Sequence, residues 1–205
     1  MFTLLAVAAH EKRHVAVVDI SGAYLNADMT LGVPVHMRLD QTMTEIVTDI
    51  DARYSKYVDA RGGVIVHLKK ALYGCVESSR LWYENLHATM LLLGYVRNVC
   101  DKCVFNRVGS DGHQSTVAIH VDDLLIMSKS KCTMTHLVNG LRERYGMIIL
   151  LHGPIINYLG MAIDMTTPGK AMITTKGYAD EIVKGCMGVR GRPRRKAYSR
   201  HARTQ

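Results

Sequence analysis

The chain has 205 residues, a formal net charge of +8, 48% apolar residues and five cysteines. That length and apolar content suffice to bury a real core and exclude wholesale disorder. Cysteines at 75, 100, 103, 132 and 186 are odd in number and irregularly spaced, which argues for reduced thiols in an intracellular, soluble protein and against a disulfide framework. No run approaches the ~20 apolar residues that cross a bilayer, so no membrane partner is expected.

The opening M-F-T-L-L-A-V-A-A-H imitates a signal peptide, but its polar residues, His10 to Arg13, follow the apolar stretch instead of preceding it. A helix end over Phe2 to Ala9 fits better. His14 to Ile20 is a strand that delivers Asp19 at its C-terminal end, and Ala23 to Met29 makes a short helix or turn. Gly32 to Leu39 alternates and carries Pro34, which suits an edge strand. Residues 40 to 63 are polar and end in the Gly62-Gly63 turn, and Val64 to Leu68 returns as a strand, so this excursion reads as a hairpin.

Ser78 or Ser79 can cap a helix running to about Leu93. Leu81, Trp82, Leu86, Met90 and Leu93 recur there at helical spacing, and Gly94 stops it. A strand over 95 to 107 is interrupted at Asn98 and Asp101. After a turn at Gly109 to Gly112, Val117 to Val121 and Leu124 to Met127 can fold back on each other around Asp122 and Asp123. A second helix over Cys132 to Tyr145 ends at Gly146. Asn157 to Met165 reads as one strand, Pro168-Gly169 as a turn, Ala171 to Thr174 as a returning strand and Tyr178 to Cys186 as a helix. Helices grouped on one face of an antiparallel sheet make an α+β fold.

Two adjacent carboxylates inside an apolar run have two readings. An Asp-Asp pair is a good turn former. Like charges at a tight turn also repel, and a divalent cation would neutralise them, with Asp19 on a neighbouring strand completing an oxygen-rich site. Cys100 and Cys103 are half of a zinc pattern, with His113 and His120 as conceivable partners, but the paired spacing of such sites is missing. From Arg190 onward the chain carries seven Lys or Arg residues and no acid, leaving the rest near neutral. Such a tail is expected to be disordered when free. It could grip phosphates in a salt-dependent way, act in nuclear targeting, or have no selected partner at all.

The run Asp19-Ile20-Ser21-Gly22-Ala23-Tyr24-Leu25-Asn26 resembles the first catalytic motif of the reverse transcriptase of copia-type (Ty1/copia) LTR retrotransposons. Leu68-Lys69-Lys70-Ala71-Leu72-Tyr73-Gly74, followed by Arg80, Trp82 and Tyr83, resembles the next block. Leu93-Gly94-Tyr95, Asp101 with Cys103 and Phe105, Val121-Asp122-Asp123, Tyr158-Leu159-Gly160 and Lys176-Gly177-Tyr178 then follow in the family's order, to about Val189.

The resemblance implies a palm-centred domain over 1–189, with an antiparallel sheet, helices on one face, and fingers and thumb incomplete; residues 190–205 are then a basic tail. It implies RNA-directed DNA polymerase chemistry, with two Mg²⁺ (or Mn²⁺) ions about 4 Å apart. Asp19, Asp122 and Asp123 are the implied catalytic and metal-binding residues, Asp19 and Asp122 bridging. Ser21 and Gly22 would offer backbone amides to a triphosphate. Tyr24 would lie under the sugar and exclude a 2′-hydroxyl, while Tyr73 and Gly74 would lie near the templating base pair. The implied partners are an RNA or DNA template with primer, dNTPs and further polyprotein regions, in a cytoplasmic particle or the nucleus.

Strand alternation leads one to expect His120 and Asp122 on one side and Val121 in the core. Two positions depart from the family. His120 stands where Tyr is usual, and its ring is smaller. Glu77-Ser78-Ser79-Arg80 replaces Gln-Ser-Pro-Arg. A nonenzymatic nucleic-acid-binding module and an inactive retrotransposon remnant therefore stand as alternative readings.

Overall fold

A continuous apolar run along one seven-residue strand, buried on both faces, organises the molecule. The computed structural model describes residues 1–30 and 32–187; the expected basic tail, 190–205, lies outside them. In chain order the elements are α1 (Phe2–His10), β1 (His14–Ile20), a 3-10 turn (Ala23–Asn26), β2 (His36–Leu39), α2 (Gln41–Ile50), a second 3-10 turn (Ala52–Tyr57) and β3 (Val64–His67). There follow α3 (Ser78–Leu92), β4 (Val96–Arg97), β5 (Val104–Val108), β6 (Gln114–His120), β7 (Asp123–Ser128), α4 (Lys131–Tyr145), β8 (Ile148–His152), β9 (Ile155–Tyr158), β10 (Met161–Asp164), β11 (Met172–Thr174) and α5 (Lys176–Met187).

The main sheet is antiparallel, in the order β4-β5-β6-β7-β1-β8. Because side chains alternate across a strand, β1 serves two cores. Val18 and Ile20 join Trp82, Leu86 and Met90 of α3 and Leu137, Val138 and Leu141 of α4 on one face. Val15 and Val17 pack on the other face with Leu5 and Ala8 of α1 and with Ile156, Tyr158 and Ile163 of a three-stranded sheet, β11-β10-β9. The Ser130 hydroxyl caps α4 by accepting from the Thr133 amide, and Gly146 at φ 73° ends it. The architecture is a mixed α+β fold of several antiparallel sheets with packed helices.

Four expectations need correction. Helices do not keep to one face, since α1 covers the side opposite α3 and α4. The excursion 40–63 is not simply a hairpin loop: β2 and β3 do pair, but α2 lies between them, capped by the Asp40 carboxylate accepting from the Met43 amide. The expected strand 157–165 is a hairpin, because Leu159 and Gly160 both take positive φ (49° and 76°) and turn the chain between β9 and β10. The run Ile148–His152 is an unanticipated edge strand, β8.

Leu137 is fully buried between α4 and the sheet. Leu137→Ala is expected to cost about 2–5 kcal/mol in urea unfolding; a loss under about 1 kcal/mol would mean that α4 does not pack there as described.

Candidate catalytic site

His120 pairs with Asp123 across β6 and β7, so Val121 and Asp122 alone form the connecting turn. A two-residue hairpin turn of this kind needs positive φ, normally supplied by glycine or asparagine. Val121 takes it instead, at φ 56°, which is a costly conformation for a β-branched residue. Two hydrogen bonds hold the turn. The Trp82 indole Nε1 donates to the Val121 carbonyl at 2.6 Å, and the Ile20 amide donates to the Asp122 carbonyl at 2.9 Å. The tip is thereby tied both to α3 and to the end of β1.

This geometry corrects the expected alternation. Val121 belongs to the turn and is 38% exposed, so it does not face the core. It is Asp123, directly opposite His120, that shares a side with that histidine.

Asp19 of β1 lies directly opposite Asp123 of β7. By alternation both point to the face of Val15, Val17, Leu125 and Met127, and Asp122 adjoins them on the turn. All three carboxylates are half-buried. Burial first, then the charges of Asp122 and Asp19, pushes the Asp123 carboxyl up to about 6, with His120 opposing the rise.

The tyrosines belong to the same neighbourhood. Burial and then Asp122, Tyr24 and Asp19 raise the Tyr73 phenol above its ordinary range, and the Tyr24 and Tyr73 ring centres are 4.3 Å apart. Tyr158, buried on the same face, is raised by burial and by Asp123. Asp19, Asp122, Asp123, Tyr24 and Tyr73 are thus brought together.

The backbone positions differ from one another. The Ser21 amide donates to the Met147 carbonyl at 3.3 Å, which directs it into the protein and not toward a ligand. Gly22 (φ 65°) opens the 3-10 turn that carries Tyr24. Gly74 takes φ 98° with open space where a Cβ would stand, so its backbone can be approached closely. Among the described residues no three His, Cys, Asp or Glu side chains lie close enough together to hold a metal ion as they stand. The donor set is nonetheless all-oxygen, as Mg²⁺ requires, and the part of the Asp123 rise that comes from Asp122 and Asp19, smaller than that from burial, is a repulsion that a cation would relieve.

Sequence reasoning assigned no structural role to Trp82 beyond its apolar spacing, and none to Tyr158. An indole always seeks an acceptor when buried, which was the available signal for Trp82. Nothing local to Tyr158 marked it as lying beneath Asp123.

A sequence profile of the reverse transcriptase (RNA-dependent DNA polymerase) family matches residues 2–189, and the chain belongs to that family. It is 25% identical over 183 residues to the retrovirus-related Pol polyprotein from transposon TNT 1-94 of Nicotiana tabacum, covering 89% of this chain and 12% of that protein. It is 24% identical over 155 residues to the transposon Ty1-BL Gag-Pol polyprotein of Saccharomyces cerevisiae, covering 73% and 7%. The chain is thus a reverse-transcriptase-like domain related at low identity to Ty1/copia-type polyproteins, and it spans a small part of their length. Among solved structures, apo telomerase from Candida tropicalis, truncated from its C-terminal domain, aligns at a TM-score of 0.42 and 12% identity, covering 83% of this chain and 38% of that one. That likeness is too distant to bear on function. Among the described residues no helix is long and apolar enough to cross a membrane.

The Asp123 shift gives a signed pH effect. Its folded-state pKa, about 6, exceeds the ordinary 3.8, so the folded state binds the proton more tightly. Its contribution therefore falls as pH rises from 3.8 to about 6 and is an unfavourable constant above that. Asp123→Asn is expected to raise neutral-pH stability by on the order of 1 kcal/mol, less than a fully buried group would give because solvent screens it. The gain should vanish toward pH 4; urea unfolding of both proteins across the window measures it, and a gain independent of pH would contradict the assignment.

Proposed function

We propose that this domain carries the nucleotide-adding site of an RNA-directed DNA polymerase of the copia type, built on a palm-like sheet. The observation that carries this reading is the register that sets Asp19 opposite Asp123 with Asp122 on the adjoining turn. Asp19, Asp122 and Asp123 would hold Mg²⁺ or Mn²⁺, which when bound would activate a primer 3′-hydroxyl and neutralise the triphosphate of a dNTP.

The remaining residues orient the reactants. Tyr24, braced by Tyr73, would lie against the sugar of the incoming nucleotide, leaving no room for a 2′-hydroxyl. The exposed Tyr73 ring and the open Gly74 backbone would meet the templating base pair. Of the two amides expected at the triphosphate, Gly22 is the better placed, since that of Ser21 is used by Met147. The template with its primer, dNTPs and further polyprotein regions are the partners of this reading.

Primer extension on poly(rA)/oligo(dT) by residues 1–205, with Mg²⁺ or Mn²⁺ titrated and Asp122→Asn as control, tests it. Extension by the wild type alone is the expected result. A metal that binds only the folded state must also raise its stability with concentration, and that increase should be absent in Asp122→Asn. Identical melting of both proteins across the titration, with no extension, would contradict the reading.

Tyr24→Ala is expected to narrow the preference for dNTP over rNTP in the same assay by about tenfold or more, the equivalent of about 1.4 kcal/mol. An unchanged ratio would leave Tyr24 only as packing for Tyr73.

A further inference from the structure

The β2–β3 hairpin carries a pair of histidines away from the three carboxylates. His36 and His67 are directly opposed across the two strands, so their side chains leave the same face. Both residues are exposed. Their ring centres are 5.3 Å apart and the planes are inclined at 34°, so the rings are tilted and not stacked.

That spacing has a specific chemical meaning. Zinc binds imidazole nitrogen at about 2.0–2.1 Å with tetrahedral angles, and with each ring centre roughly 1.1–1.2 Å behind its nitrogen, two rings sharing one ion have centres about 5.2 Å apart. A square-planar ion, with donors at right angles, would need the centres nearer about 4.5 Å. The 5.3 Å separation of the ring centres matches the tetrahedral spacing, so side-chain rotation alone, with no movement of the strands, would turn one nitrogen of each ring toward a shared ion.

We propose that His36 and His67 form a two-imidazole zinc site that ties β2 to β3. Water or an outside donor completes the coordination; this is a two-donor site, unlike the three-donor clusters that the described residues lack. The positive charge of Lys69 acts on His67 and opposes an incoming ion, which makes the site weaker than a structural zinc centre. The inference is independent of the polymerase reading, since it uses none of the same residues.

Side-chain ¹H–¹⁵N spectra of the histidines, recorded during ZnCl₂ titration of the reduced full chain, test the proposal with His36→Gln and His67→Gln as variants. Both positions are exposed, so an unchanged melting temperature without metal is expected. In the wild type the His36 and His67 signals should shift together at equimolar zinc, with one apparent affinity, while MgCl₂ leaves them unmoved. In each variant the remaining histidine should bind zinc about tenfold or more weakly, which is about 1.4 kcal/mol. A smaller loss in either variant, or signals that do not respond to equimolar zinc, would overturn it.

Discussion

The register of β1 against β7 sets two carboxylates, Asp19 and Asp123, directly opposite each other, an arrangement that like charges resist. A one-residue slip would turn every β1 side chain to the other face. Both faces of β1 are covered by apolar residues, so its middle, Val15 to Val18, would pack passably either way. The end of the strand would not: a slip would drive Asp19 into the core beneath α3 and α4, where an unpaired charge is expensive. Confinement of that carboxylate to the half-buried side fixes the register, and the register in turn defines the candidate site.

The hairpin tip bears a second local cost. Valine in the positive-φ position of a two-residue turn is unfavourable, yet it places Asp122 beside the facing pair. The compensation comes from the surrounding structure. Trp82 is buried in the core of α3, α4 and the sheet, edge-on to Tyr145, and donates to the Val121 carbonyl, and the last amide of β1 donates to the carbonyl of Asp122. Core packing in α3 and the position of the acids are therefore coupled, and weakening one should loosen the other. The same fields reach the tyrosines: Tyr73 and Tyr158 hold their phenolic protons more tightly chiefly because they are buried, and further because carboxylates stand near them.

What could be read from the chain follows the strength of each local signal. β1 coincides with the run His14 to Ile20, and α3 buries Leu81, Trp82, Leu86 and Met90 at the spacing the sequence displays. Capping by Ser78 did not hold in detail: its hydroxyl bonds the Leu72 backbone in the preceding loop, and Glu77 occupies the cap position. The Thr-rich sequence of α2 looks like a loop, although Asp40 is a legible cap. β9 and β10 were merged because a Leu-Gly turn inside an apolar stretch leaves little compositional trace. The residues of the site were legible only through the ordered family blocks, since an Asp-Asp pair by itself equally describes a turn. Their mutual placement depends on long-range pairing, which spacing along the chain cannot supply.

Manganese relaxation in solution addresses the convergence of the three carboxylates most directly. Mn²⁺ is paramagnetic and replaces Mg²⁺ at oxygen sites, so it broadens amide signals close to wherever it binds. Substoichiometric Mn²⁺ is expected to erase the signals of residues 19–22 and 121–124 together, before those elsewhere, and Asp122→Asn should abolish that selectivity. Broadening that leaves the end of β1 untouched while affecting the hairpin, or that is spread evenly over the chain, would contradict a shared site.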